Sequence, residues 1–303
     1  MNMKVALNGL ELKNPVMTAS GTFGYGLEFA PYGDLRALGA IVVKGLSLKP
    51  RPGNPMPRIA ETPAGMLNAI GLENVGLERF LTGRLPALPW RETPVIANLY
   101  ACDPDEFAEL AGILAGHEGV AALEVNISCP NVKAGGMAFG QDPLQAAKVT
   151  SAVKKRAGNK PVMVKLSPNV ADIAVMARAV EDAGADILSL INTLTGMAVD
   201  VRTRKPRLAN IIGGLSGPAI KPVGLRCVWQ ASRAVKIPVV GLGGISSGLD
   251  ILEYILVGAH AVQVGTANFL RPDLVFTLVE ELPPLCREMG IDDLAAFRGS
   301  LAV

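Results

Sequence analysis

Several short apolar segments of the chain close on polar residues: Lys44, Asn98, Asn126, Lys165 and the neighbours Asn192 and Thr193. A buried amide or ammonium costs free energy unless a partner or a ligand satisfies it. Taken singly each has a structural explanation, because a lysine at a strand end can snorkel and an asparagine can cap a turn. Taken together they describe one polar mouth. Amide donors and acceptors with two cations suit a flat, polar, anionic heterocycle. The set holds no paired carboxylates, so glycoside hydrolysis and general metal-assisted hydrolysis lack their parts.

Cys129 stands in the run NISCPN (126–131), just past one of these segments and beside Asn126 and Asn131. A lone cysteine is more often a small apolar core residue, and Cys227 and Cys286, in helical patterns, read that way. Cys129 is the one good candidate for a proton-transferring base or nucleophile, since a thiol acts near neutral pH once its surroundings tune it. The four cysteines contain no CxxC pair, which argues against a structural zinc site or an iron-sulfur cluster held by this chain alone. With only His117 and His260 available, a histidine metal cluster or a Ser-His-Asp triad has few ways to form, and both read as structural.

Glycine-rich turns form a second set: GGLSGPA (213–219), GLGGIS (241–246) and VGTAN (264–268). Each precedes a helical pattern, where backbone N–H groups can hold a phosphate monoester. A glycine turn alone is usually only a turn.

The elements that must position these groups follow from alternation. Eight apolar runs rich in Val, Ile and Leu lie at 16–20, 40–47, 94–101, 121–128, 162–168, 187–193, 239–245 and 261–267. Each is followed by a longer segment of helical periodicity, the signature of parallel strands joined by helices. Eight such units close a barrel, and the polar residues fall at the carboxyl ends of its strands, where barrels of this type place their sites. The spacing predicts an α/β fold, a (β/α)8 TIM barrel, with residues 1–303 as a single domain. Helices are expected from Asp103 to His117 and over 170–185, the latter ending at Gly184. Two long connections, 48–76 and 195–216, are insertions after strands two and six. The opening KVALNGLELKNP reads as a hairpin turning at Asn8-Gly9 that plugs the opposite end. A doubly wound open sheet competes, but there is no GxGxxG after the first strand and no GxxxxGK[ST].

Composition narrows the partners. The chain has 29 Lys plus Arg against 27 Asp plus Glu, a net charge of +2 with no run of like charge, so neither nucleic acid nor an anionic membrane is expected. No secretory signal and no membrane span is legible, and the expected location is cytoplasmic.

The motifs SGTFGYG (20–26), KGLSLKPRPGNPMPRIAETPAGMLNAIGLEN (44–74), NISCPNVKAGG, VKLSPNV (164–170), INTLTGM (191–197), GGLSGPAIKP (213–222), GLGGISSG (241–248) and VGTANF (264–269) span nearly the whole chain. In these the sequence closely resembles the class 1 dihydroorotate dehydrogenases, above all their NAD-linked B type. The resemblance implies an FMN-containing barrel, one FMN per chain, that oxidises dihydroorotate to orotate in pyrimidine synthesis. It implies that Cys129 is the base removing the C5 proton while hydride passes from C6 to FMN N5. Lys44, Asn68, Asn126, Asn131, Asn192 and Thr193 would hold the substrate, and the backbone from Ala69 through Ile70, Gly71 and Leu72 would complete its pocket. For FMN the matching positions are Ser20, Lys44, Gly45, Asn98, Asn126, Lys165, Ile191, Gly217, Gly243, Gly244, Gly265 and Thr266. A cation such as Lys165 near N1 would stabilise the anionic reduced flavin. Cys129, where the membrane-bound class uses serine, favours the soluble class; Thr193 in place of a serine keeps the hydroxyl.

The B type works as a heterotetramer of two catalytic and two electron-transfer chains, the latter carrying FAD and a [2Fe-2S] cluster and reducing NAD. The alternatives are an A-type, fumarate-linked homodimer, a related flavoenzyme acting on another pyrimidine or a tRNA uridine, and a non-catalytic barrel that binds FMN or a metabolite.

Overall fold

The computed structural model describes residues 2–128 and 139–303. Cys129 and Asn131 lie outside the described residues. Eight barrel strands run in chain order: β1 (Val16–Thr18), β2 (Ile41–Val42), β3 (Val95–Leu99), β4 (Ala122–Asn126), β5 (Val162–Leu166), β6 (Ile187–Leu190), β7 (Val239–Leu242) and β8 (Ala261–Val264). They form one parallel sheet, β1-β8-β7-β6-β5-β4-β3-β2. A parallel bridge from Met17 to Ala40 joins its two edges into the expected barrel.

The seam between β1 and β2 is the weakest stretch of ladder, and a side chain completes it. Gly39 N–H donates to Val16 O (2.8 Å) and Thr18 N–H to Ala40 O (3.3 Å). Beyond them the Thr18 hydroxyl, wholly buried, accepts from Val42 N–H at 2.9 Å. A Cβ on Gly39 would stand 2.3 Å from Asn14 O, so only glycine lets the edges approach this closely.

Six helices cover the outside: α1 (Pro104–Ala115), α2 (Pro143–Arg156), α3 (Ile173–Asp182), α4 (Lys221–Ala234), α5 (Gly248–Leu256) and α6 (Leu274–Glu288). Asp103, Asp142 and Asp172 cap the first three through their carboxylates. Gly184, at φ 99°, ends α3 in the left-handed conformation expected of it. The alternation is less regular than the sequence suggests. After β1 come only 3-10 turns at Leu27–Tyr32 and Leu35–Ala37, and after β2 a short helical stretch from Leu77 to Arg84, so the first two units lack full helices. The strands are also shorter than the apolar runs: Lys44, whose N–H donates to Gly24 O, lies beyond β2, and Asn192 lies beyond β6.

The hairpin Val5–Leu7 and Leu10–Leu12 turns at Asn8 (φ 42°) and Gly9 (φ 93°), the paired positive angles of a type I′ turn. Its Val5, Leu7, Leu10 and Leu12 pack against Met17, Ala40, Val42, Ile96, Ala122, Met163, Ile187, Val240 and Ala261, which sit toward the amino ends of the barrel strands. The plug is therefore in place, and it is apolar. The two insertions do something their sequences do not announce: they pair with each other. Ile59–Thr62 and Gly65–Asn68 from the first join Leu194–Met197 and Ile212–Ser216 from the second in one antiparallel sheet. Gly65 permits the junction, since a Cβ there would lie 2.0 Å from Ser216 O.

Thr18→Val should destabilise the chain by about 1–3 kcal/mol, because it strands the buried Val42 amide, whereas Thr18→Ser should keep most of the stability. Urea unfolding of the two variants checks this; equal midpoints would remove the hydroxyl from the seam.

Candidate active site

Side chains of a strand alternate between faces, so every second residue points into the barrel and the interior is built in layers. The lowest layer is the apolar one under the hairpin. One step along, the filling changes character: Asn98, Glu124, Lys165, Ser189 and Gln263 all lie in the interior and all are at most 5% exposed. Glu124 holds four of the five strands concerned together. Its Oε2 accepts from Asn98 Nδ2 (2.6 Å), and its Oε1 accepts from Ser189 Oγ (2.8 Å) and Gln263 Nε2 (2.7 Å). Lys165, from the adjacent β5, makes no ion pair among the described residues. The carbonyl oxygens of Asn98 and Gln263 are buried and accept from no partner among the described residues.

Asn126 lies nearer the mouth, paired in register with Lys165. Its Oδ1 accepts from Ser128 N–H (3.2 Å) and from Asn192 Nδ2 (3.4 Å), and Asn192 Oδ1 in turn accepts from Thr193 N–H (2.8 Å). Thr193 packs on Gly214, where a Cβ would be 2.1 Å from its hydroxyl oxygen, and Asn68 Nδ2 donates to Gly214 O (3.3 Å). Asn68, Asn126, Asn192 and Thr193 thus form one continuous wall. The insertion sheet supplies part of it.

The segment from Ala69 to Leu72 is fixed from behind. Asn54 donates from Nδ2 to Ala69 O and from its backbone to Ile70 O, both at 2.9 Å, and a Cβ on Gly71 would meet it at 2.4 Å. Leu72 has φ 59°, a left-handed conformation that costs a branched residue free energy, and Asn74 Nδ2 holds its carbonyl at 2.8 Å. A Cβ on Gly45 would stand 3.0 Å from Asn98 Oδ1 and 3.8 Å from the Leu72 side chain, so Gly45, next to Lys44, lies between the two halves of the mouth.

The glycine turns meet on the far side. A Cβ on Gly244 would be 2.9 Å from Gly217 O, one on Gly243 3.4 Å from Ile191, and one on Gly265 3.4 Å from Ala19, next to Ser20. Thr266 Oγ1 donates to Ser216 Oγ at 2.8 Å. One expectation needs adjustment: the amides just before α5 are already used. The Asp250 carboxylate accepts from the backbone N–H groups of Ser246 (2.8 Å) and Ser247 (2.9 Å), and Lys221 pairs with it at 2.6 Å. Among the described residues the amides of Gly244, Gly265 and Thr266 donate to no protein acceptor, and these are the ones open to a phosphate. These contacts bring Asn68, Asn126, Asn192 and Thr193 together on one side and set Gly217 beside Gly244, Gly243 beside Ile191 and Thr266 beside Ser216 on the other.

The family model of dihydroorotate dehydrogenase matches residues 2–285 of this chain. The chain is 73% identical over 303 residues, 100% of its length and 99% of the relative's, to "Dihydroorotate dehydrogenase B (NAD(+)), catalytic subunit" of Solidesulfovibrio magneticus. The chain belongs to the dihydroorotate dehydrogenase family. Proteins of the same name from Maridesulfovibrio salexigens and Pelobacter propionicus are 67% identical over 301 residues and 61% over 300, each covering 99% of this chain and 99% and 98% of their own. As a member of the dihydroorotate dehydrogenase family it is a flavin-dependent oxidoreductase. The site fits such a group: among the described residues the buried Asn98 carbonyl has no donor and the buried Lys165 ammonium no carboxylate, and glycines whose missing side chains leave a cradle lie beside them.

Sequence reasoning missed Glu124, Ser189 and Gln263. The signal was present, since ALEVN and AVQV each carry a long polar side chain inside a run otherwise fit for a core. No helix among the described residues is long and apolar enough to cross a membrane. Cys227 and Cys286 are buried, as expected for core residues, and burial pushes both thiols up.

His117 sits in an exposed turn after α1. His260 lies just before β8, at the opposite end of the barrel from the mouth, beside a cavity of about 240 Å³ that Trp229, Arg233 and Arg298 also line. Its Nδ1 accepts from Val239 N–H at 3.3 Å, and burial, with the Arg298 charge beside it, holds it down from 6.5 to about 4. Between those values the unfolded chain takes up a proton that the fold refuses, so stability is full above pH 6.5 and falls as the pH drops toward 4. From pH 7 to pH 5 this should cost about 2 kcal/mol in urea unfolding. His260→Asn, which keeps an acceptor for Val239, should flatten that part of the profile; an unchanged slope would clear His260.

Proposed function

We propose that this chain is the FMN-bearing catalytic component that oxidises dihydroorotate to orotate in pyrimidine synthesis, with residues 1–303 working as one unit. The observation that carries the reading is Lys165: an ammonium 5% exposed, inside a barrel, with no carboxylate paired to it among the described residues. Such a charge is costly unless an anionic ligand completes it.

Ser20, Lys44, Gly45, Asn98, Asn126, Lys165 and Ile191 would hold the isoalloxazine and ribityl parts, and Gly217, Gly243, Gly244, Gly265 and Thr266 the phosphate. When bound, FMN supplies the acceptor for the hydride that leaves C6 of dihydroorotate. The chain's own residues do the rest. Lys44, Asn68, Asn126, Asn131, Asn192 and Thr193 bind the carboxylate and ring edges of the substrate, and the backbone of Ala69, Ile70, Gly71 and Leu72 closes over it. Cys129, as thiolate, takes the proton from C5, so the carbon–carbon double bond of orotate forms as proton and hydride leave from neighbouring carbons. Lys165 opposes the negative charge that accumulates beside it.

The electrons then pass to a second chain carrying FAD and a [2Fe-2S] cluster and on to NAD, in a cytoplasmic heterotetramer of two catalytic and two electron-transfer chains. The names of the relatives support a partner, since each is called a catalytic subunit of an NAD(+)-linked enzyme. Exposed Met56, Ile59, Met197, Val199, Val201, Ile211 and Ile212, all on or beside the insertion sheet, offer apolar surface for contact with another chain.

Adding dihydroorotate without oxygen to the flavin-loaded chain should bleach the flavin. Cys129→Ala should keep FMN while its reduction slows at least about 10²-fold. Flavin that stays oxidised in folded, loaded protein would leave a binding role, and near-normal reduction in the variant would sink Cys129 as base.

A further inference from the structure

Glu124 is the one carboxylate among the described interior residues of the barrel, it is wholly buried, and the reaction proposed above gives it no part. Its three donors are all uncharged: the Asn98 amide on Oε2, and the Ser189 hydroxyl and Gln263 amide on Oε1. A carboxylate can only accept, so it fixes which way each amide faces. Asn98 must turn Nδ2 toward Glu124 and Oδ1 away from it. That oxygen is buried and without a partner among the described residues, and it lies 3.0 Å from where a Cβ on Gly45 would stand. Gln263 shows the same consequence, with Nε2 on the carboxylate and Oε1 unpartnered.

We propose that Glu124 is a positioning residue for the cofactor: it holds Asn98 with its carbonyl oxygen presented to the site, so that the site offers an acceptor to a ring N–H of the flavin. The inference rests on the FMN reading of the site. Glu124 itself touches neither cofactor nor substrate.

The polarity of the pair can be reversed without changing its shape. In Glu124→Gln the remaining carbonyl oxygen can still accept from Ser189 and Gln263, but the new amide now donates toward Asn98. Asn98 must then rotate its amide by half a turn and present Nδ2 where Oδ1 stood. FMN affinity, followed by quenching of flavin fluorescence on titration into apoprotein, should fall at least about 10-fold, while the urea midpoint of the apoprotein changes little. Adding Asn98→Asp to Glu124→Gln restores an acceptor on both sides and should return the affinity to within about threefold of wild type. Ser189→Ala, which takes a donor from the same carboxylate and leaves Asn98 alone, should also stay within about threefold.

Wild-type affinity in Glu124→Gln would overturn the proposal. So would equal losses in Glu124→Gln, the double variant and Ser189→Ala, which would reduce the network to a structural one. Should Glu124→Gln fail to fold, the double variant set against Ser189→Ala carries the test by the same threefold criterion. Failure of the wild-type apoprotein to bind FMN at all would overturn the reading of the site, and this inference with it.

Discussion

A carboxylate that accepts three hydrogen bonds inside a closed barrel sets the terms for everything above it. The interior of an eight-stranded barrel is narrow and must be filled with side chains. Most such layers are filled with branched apolar residues, which need nothing from one another but volume. Here the layer above the plug is filled with amides, a hydroxyl, a lysine and Glu124. Once polar groups enter that space each must find a partner, and the Glu124 carboxylate is the partner for three of them. Their remaining polar atoms have nowhere to turn but toward the mouth.

The apolar plug below and the insertion sheet above follow from that constraint. Water entering from the amino ends of the strands would offer competing hydrogen bonds to the polar layer, and the hairpin packed on Met17, Ile96, Met163, Ile187 and Val240 closes that route. At the other end the chain leaves the barrel open but builds walls from two distant segments. The contact of Gly65 with Ser216 and the pairing of Asn68 with Gly214 tie residues nearly 150 positions apart into one surface. The first insertion and the loop after β6 are thereby held in register by backbone hydrogen bonds, a firmer support than either loop could give alone.

Much of this was legible in the sequence. Parallel strands and their order along the chain could be read because apolar runs and glycine or proline breaks report local conformation directly. The hairpin could be read because Asn8-Gly9 suits one turn type. The polar mouth could be read because asparagines and lysines at strand ends violate the apolar pattern. Three things were not legible. Strand pairing between the insertions is a long-range choice with no local pattern. The missing helices after β1 and β2 were hidden because short apolar segments satisfy either helical turns or loops. Glu124 and Gln263 were passed over because attention went to strand ends, whereas these two lie within strands and their partners are supplied by other strands.

Among the described residues the polar layer holds one carboxylate, Glu124, and one ammonium, Lys165, yet the two do not pair. A direct pair would have been the simpler way to bury both: at about 4 Å and an effective dielectric near 20 the attraction is worth about 4 kcal/mol. It would also have spent the positive charge on the protein itself, so that an incoming anion would have to break the pair before using Lys165. Satisfying Glu124 with neutral donors instead leaves the carboxylate stable and the ammonium, in the same layer and in register with Asn126, without a carboxylate partner among the described residues. An ammonium buried without a carboxylate costs the fold free energy that an anionic partner would return.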